Sequence, residues 1–323
     1  MNKTTPAVSD RQPRGRKRLN RSRLLIVGCG DVGLRVLKLL AGRWTVWALT
    51  SSPQRMPALR AAGAMPLLGN LDDPTTLGRL GGLADRVLHL APPPGTGRTD
   101  PRTAHLLRAL ARGGRTARLV YGSTTGVYGD CGGDWVEETR AVNPSTDRAR
   151  RRLDAEARLR HFGRHSGCQV TILRIPGIYA LDREGGDPRE RVRRGTPALL
   201  PADDVYTNHI HADDLARACV RALTCGRPQR AINVCDDSDL RMGDYFDLVA
   251  QLWNLPRPPR VSRAQALATL PPMMMSFMSE SRRLRNARLK GELGLVLRYP
   301  TVNEGLAGAA LEPDPDLPVA PSL

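Results

Sequence analysis

Three glycines at G-x-G-x-x-G spacing, Gly28, Gly30 and Gly33, lie in the stretch R-L-L-I-V-G-C-G-D-V-G from Arg23 to Gly33. Phosphate binding is the chemistry that this spacing serves. The first glycine allows a tight turn, the second lets a pyrophosphate approach the backbone, and the third lets helix and strand pack closely. The anion then rests on the N-terminus of the following helix, so Asp31 and Val32 belong to the same expected cofactor site. An ordinary glycine-rich turn has the same spacing. The flanks favour a dinucleotide, because Leu24, Leu25, Ile26 and Val27 form an apolar run suited to a buried parallel strand, and helical periodicity follows the motif.

A second group of residues bears on which dinucleotide. Trp44 to Leu49 reads as the second strand, and in NAD-binding folds an acid commonly closes it. Here Thr50, Ser51 and Ser52 follow, with no carboxylate until Asp72 and with Arg55 just beyond. A missing acid beside a guanidinium favours the 2′-phosphate of NADP over NAD; the alternative is a solvated Arg55 early in the next helix. Asn70 and Leu71 follow a third strand, Met65 to Leu68, where Asn70 meets an adenine edge or serves only the turn. Ala91 and Pro92 leave a fourth strand that begins at Arg86, and pass close to the cofactor. His89 within it reads as a buried strand residue. The fifth strand, Ala117 to Tyr121, runs into Gly122-Ser123-Thr124-Thr125-Gly126-Val127-Tyr128-Gly129-Asp130, a hydroxyl cluster where such sheets bind ligands.

The elements that must position these groups follow from the alternation of short strands with helices. It predicts an α/β fold, a Rossmann-type doubly wound parallel sheet with a smaller C-terminal substrate lobe. The expected organisation is a basic tail over 1–22 and a dinucleotide-binding core over 23–175, completed by about 206–235. The lobe takes about 176–205 and 236–310, and a Pro-rich tail 311–323. The run from Arg183 to Gly195 reads as a basic, solvated loop. The cluster Met273, Met274, Met275 and Met278 reads as adaptable core filling.

Bulk properties exclude other classes. The 323 residues, 41% hydrophobic and 25% charged, suit a globular protein. No apolar run reaches membrane-spanning length, and the basic N-terminus lacks an apolar h-region, so no membrane partner and a cytoplasmic location are expected. Six scattered cysteines without a C-x-x-C pair read as reduced thiols, and no metal site is expected. Of the net charge of +17, eight basic residues against Asp10 lie between Lys3 and Arg23. Aromatics make up only 4% of the chain, so specific nucleic-acid recognition is not expected.

The glycine motif, S-T-T-G-V-Y-G-D from Ser123, R-I-P-G-I-Y from Arg174 to Tyr179 and H-I-H-A-D-D-L-A from His209 together resemble the extended short-chain dehydrogenase/reductases, the NAD-dependent epimerase/dehydratase group. The likeness runs from about Arg23 to about Ala309. It implies that Thr124 hydrogen-bonds the reacting oxygen of a substrate; the alternative is a hydroxyl that satisfies the strand end. The family's Y-x-x-x-K pair is the landmark that fails. With Glu156 as the register mark, its positions fall on Arg148 and Arg152. Arg152 still suits a ribose or phosphate, but a guanidinium does not exchange protons near neutral pH. Tyr128, Tyr179, His209 and His211 are the candidate substitutes, with Tyr128 placed beside Thr124 in the expected catalytic set.

Two functional expectations follow. One is an NAD(P)-dependent oxidoreductase or epimerase/dehydratase that acts on a hydroxyl or carbonyl group, with a non-standard active site. The other is a catalytically reduced dinucleotide-binding sensor or scaffold. The expected partners are a small-molecule substrate of unidentified class and, as an option, a second copy in a homodimer.

Overall fold

Apolar runs of four to seven residues form the centre of the molecule. The structure, a computed structural model, describes residues 21–114 and 116–307. Almost all of the basic tail and the whole Pro-rich tail lie outside the described residues. Seven strands make one sheet: β1 Arg23–Val27, β2 Thr45–Thr50, β3 Met65–Leu68, β4 Arg86–His89, β5 Arg118–Thr124, β6 Gln169–Ile175 and β7 Arg230–Asn233. Their order is β7-β6-β5-β4-β1-β2-β3, with every neighbouring pair parallel. The order reverses between β1 and β4, which opens a crevice at their carboxyl ends.

Alternation along each strand gives the sheet two buried faces. Leu24 and Ile26 of β1 pack with Val36 and Leu37 of α1 (Asp31–Leu40). Leu25 and Val27 point the other way, toward Leu106 and Leu110 of α2 (Pro101–Ala111) and Leu159 of α3 (Asp147–Ser166). A further helix, α4 (Ala212–Cys225), lies beside α1 and adds Leu215 and Cys219 to the first face. Helix α3 begins at Thr146, whose side chain accepts from the Ala149 N–H at 3.2 Å, and ends at Gly167 in the left-handed region. At one margin of the sheet, β3 pairs among the described residues only with β2, and its Met65 and Leu68 are exposed.

A separate apolar core holds Leu199, Val205, Met275, Met278, Val302 and Leu306, with Met242, Phe246 and Val249 from α5 (Met242–Leu252). Met275 and Met278 fill it, as expected of the methionine cluster. The expected lobe needs one correction. Leu289, Leu293, Leu295 and Leu297 join the α1/α4 face of the sheet, because that layer would otherwise leave apolar side chains exposed. Strand ends also differ: β5 continues beyond Tyr121 to Thr124, and β6, whose apolar run reads from the sequence as Gln169 to Leu173, continues to Ile175. The basic run after Arg183 contains a short helix, Pro188–Arg193, capped by Asp187. Among the described residues no helix is long and apolar enough to cross a membrane.

Candidate functional site

The three glycines occupy three different environments. Gly28 has φ +85°, and a Cβ there would lie 2.4 Å from the Ala91 nitrogen. The contact exists because Leu90 and Ala91 both donate N–H groups to the Val27 carbonyl, at 2.8 and 2.9 Å. A Cβ on Gly33 would meet Cys29 Sγ at 3.1 Å, so helix and strand are in close contact there. Gly30 faces open space, with no heavy atom within 4 Å of a Cβ position. It is the N-cap of α1 and has no side-chain cap, which leaves the first-turn N–H groups of Asp31 and Val32 facing outward. A glycine loop with a free face at its middle position suits the approach of a pyrophosphate.

Around this loop the structure brings together Gly28, Thr50, Arg55, Asn70, Leu71, Ala91 and Pro92, which line one cavity of about 310 Å³. A second cavity of about 530 Å³ shares Ser51, Gly69 and Asn70 with it and extends toward Arg79. Arg55 is exposed, yet it is not simply solvated: its Nη2 donates to the Cys29 carbonyl at 2.6 Å. Its charge therefore lies over the glycine loop at the end of β2. Burial raises the Cys29 thiol to about 11 against the pull of Arg55, so this thiol stays protonated. Asn70 does perform turn chemistry, its Oδ1 accepting from the Asp72 N–H at 3.0 Å. The Asp31 carboxylate is held by Arg35 and Arg183, each at 3.2 Å. The acid beside the glycine loop is thereby offset by two cations. Arg35 also reaches Asp182 at 2.6 Å and Asp213 at 2.5 Å, tying the loop after Tyr179 to α1 and α4.

Farther along, Thr124 stands at the carboxyl end of β5. Its Oγ1 accepts from the Gly126 N–H at 3.3 Å, while its own proton has no acceptor among the described residues. Arg152 donates to the Gly122 carbonyl at 2.7 Å and the Tyr121 hydroxyl at 3.1 Å, and so braces the end of the same strand. Arg148, one turn earlier, places its guanidinium 5.6 Å from the ring centre of Phe277.

The expected substitute acids do not join this group. Tyr128 is buried, its hydroxyl donates to Asn233 Oδ1 at 2.7 Å, and burial raises its pKa. A phenol so placed is a core hydrogen-bond donor, which corrects its expected catalytic placement. Tyr179 is buried too, with its hydroxyl turned to the Thr301 carbonyl at 3.4 Å. His209 stacks on Tyr245 with ring centres 4.0 Å apart, and burial lowers its pKa to about 3. His211 caps α4, Nδ1 accepting from the Asp213 N–H at 3.2 Å, and burial lowers its pKa as well. His89 is the buried strand residue expected: burial lowers its pKa to about 3, and Nε2 meets Thr103 Oγ1 at 2.9 Å. The basic run is engaged in part: Arg193 and Arg194 are exposed, as a solvated run would have them, while three other arginines are held. Arg183 pairs with Asp31, Arg189 with Asp187 at 2.6 Å, and Arg191 lies over Phe246 at 4.3 Å.

Sequence reasoning missed two supports of the crevice and one buried acid. Arg102 of α2 clamps Asp72 with paired bonds of 2.7 and 2.6 Å and donates to the Pro92 carbonyl at 3.2 Å, joining the loops after β3 and β4 and holding the Asp72 carboxyl below its usual range. Glu156 of α3 and Arg174 of β6 pair at 2.8 Å beneath the strand ends. Asp72 was visible as the first acid after β2; no local signal marks the Glu156–Arg174 pair. Asp236 is buried, with Oδ1 accepting from the Ser238 N–H at 3.0 Å and Oδ2 without a partner among the described residues.

Burial raises the Asp236 carboxyl to about 8. An unfolded aspartate titrates near about 3.9, so between these values the folded chain holds a proton that the unfolded chain has lost. Stability from this group therefore falls as pH rises from about 4 to about 8. Asp236→Asn should remove that fall, raising the thermal midpoint at pH 8 by about 2–4 °C with no gain at pH 4. Scanning calorimetry at the two pH values checks it, and a lower midpoint at pH 8 would refute the buried-acid account.

Comparisons with known proteins agree with this geometry. Residues 24–235 match the model of the NAD dependent epimerase/dehydratase family. A solved structure of a functionally unknown conserved protein from Silicibacter pomeroyi DSS is 31% identical, with TM-score 0.74, covering 89% of this chain and 97% of that one. GDP-6-deoxy-D-mannose reductase of Pseudomonas aeruginosa is 27% identical over 260 residues, 71% of this chain and 80% of its own. Protein YeeZ of Escherichia coli K12 is 25% identical over 289 residues, 86% of this chain and 96% of its own.

Proposed function

The chain belongs to the NAD dependent epimerase/dehydratase family, and from that premise we propose that it binds NADP(H) in preference to NAD(H) and acts on a hydroxyl or carbonyl group of a small molecule. The supporting observation is the Gly30 face beside Arg55, at a strand end that offers hydroxyls and no carboxylate. Gly30 and the first-turn N–H groups of α1 receive the pyrophosphate, and Arg55 receives the 2′-phosphate. When bound, the dinucleotide supplies hydride exchange. Thr124 donates a hydrogen bond to the substrate's reacting oxygen, and Arg152 keeps the end of β5 in place by its bond to Gly122.

A catalytically reduced sensor or scaffold is the second reading. What favours it is the engagement of Tyr128 and Tyr179 elsewhere and the burial of both histidines.

Fluorescence titration with NADPH and NADH tests the premise shared by both readings, and a folded chain that binds neither nucleotide refutes it. Arg55→Gln is expected to weaken NADPH binding by about 10- to 100-fold, the equivalent of one charge-assisted contact. NADH affinity should change by no more than about twofold, since NADH lacks the phosphate that Arg55 would pair. Equal losses for the two nucleotides would assign Arg55 to the loop rather than to the 2′-phosphate. A carbonyl and nucleotide-sugar turnover screen, with Thr124→Ala as control, then separates enzyme from sensor.

A further inference from the structure

The start of α3 is rich in cations and poor in counter-charges. Arg150 takes Asp147 at 2.7 Å. Arg152 is engaged by Gly122 and Tyr121. Arg151, 8% exposed, gives Nη1 to the Gly97 carbonyl at 2.6 Å, while its enclosed Nε finds no partner among the described residues. Arg148 differs from all three. Its one described contact is the face of Phe277, and no carboxylate among the described residues pairs with it. Arg148 is an exposed residue, and partial desolvation of its guanidinium, with the nearby charges of Arg152 and Arg151, lowers its pKa.

Its location follows from the packing of Gly126. A Cβ on that glycine would meet Thr124 Oγ1 at 3.6 Å and the Ala149 Cβ at 3.7 Å. Arg148 thus precedes a residue packed against the Thr124 turn, at the carboxyl end of β5 where ligands of such sheets bind. Phe277, 51% exposed, comes from the short helix Pro272–Met278 on the other side. A guanidinium on an aromatic face, repelled by two neighbours, is stabilised by an oxyanion, which accepts its parallel N–H bonds and offsets the repulsion.

We propose that Arg148 is an oxyanion-binding residue, so that this crevice takes a small molecule carrying a carboxylate or phosphate next to the group held by Thr124. The inference rests on the family reading for the position of the reacting group, and on the charge arrangement for the ligand class.

Isothermal titration of the intact chain tests it, with oxalate, inorganic phosphate and neutral oxamide as probes, each with and without saturating NADPH. Oxalate or phosphate is expected to bind, the tighter of the two identifying the oxyanion, with oxamide weaker by about tenfold or more. Arg148→Gln should weaken the anion by about tenfold or more while NADPH binding is unchanged. Arg148→Lys should retain part of the affinity, and Arg150→Gln, which removes a charge already paired with Asp147, should change nothing. The proposal is overturned if neither anion binds under either condition, or if folded Arg148→Gln binds as the parent does. Arg148-dependent anion binding without any NADPH binding would uphold it and overturn the cofactor reading instead.

Discussion

Glu156→Gln is expected to lower folding stability by about 3–5 kcal/mol, read as a fall of about 1 M or more in the urea midpoint. Glu156 has no exposed surface. It accepts from Arg174 Nη2 at 2.8 Å and Nε at 3.2 Å, from Ser123 Oγ at 2.7 Å and from Arg160 at 3.3 Å. Arg174 is 3% exposed and lies over the Tyr128 ring at 4.7 Å. The amide keeps the shape and removes the charge, which leaves a guanidinium buried without its counter-ion. That penalty belongs to the isolated charge and not to the lost contact. The double variant Glu156→Leu/Arg174→Met should therefore recover much of the loss. A single variant within about 1 kcal/mol of the parent would contradict the pairing, since typical surface changes already fall within about 0.5 kcal/mol.

Gly28→Ala and Gly30→Ala, two residues apart, should fail in opposite ways. At Gly28 the backbone is left-handed and a Cβ would press on Ala91 backbone atoms at 2.4 and 2.5 Å. Backbone must move, and a stability loss of about 2–4 kcal/mol is expected. At Gly30 the φ is −84° and a Cβ meets nothing within 4 Å. Its stability should stay within about 0.5 kcal/mol of the parent, while NADPH affinity falls by about tenfold or more as the methyl occupies the phosphate's approach. Thermal midpoints and NADPH titrations on the same preparations separate the two effects. Undiminished NADPH binding by Gly30→Ala would place the pyrophosphate elsewhere.

The contrast also shows which parts of the molecule are readable along the chain. Apolar runs and their punctuation located the first five strands, and the glycine spacing located the loop, because both signals are local. The strand ends were less legible. β5 and β6 continue through Ser123 and Arg174, polar residues that would normally terminate a buried strand, because both bond to Glu156 of α3. That partner is 33 residues from one and 18 from the other. Tyr128 was misplaced for the same reason: a tyrosine after a glycine turn reads as exposed until Asn233, 105 residues on, receives its proton. The arginines after Tyr179 read as a solvated run because Asp31 and Phe246, which engage Arg183 and Arg191, lie on other elements. Long-range polar pairing, not hydrophobic pattern, is what the linear chain concealed.

The exposed margin strand β3, M-P-L-L, affects how copies of this chain behave toward one another. A bare strand edge with exposed Met65 and Leu68 invites another chain to add to the sheet. Proline in a sheet is tolerated where its nitrogen faces away from the ladder, and Pro66 still pairs with Ala48 of β2. The donor that would start an eighth strand is missing at the middle of a four-residue edge. Among the described residues no further strand pairs with this edge, and a single imino acid removes a donor that such a strand would need.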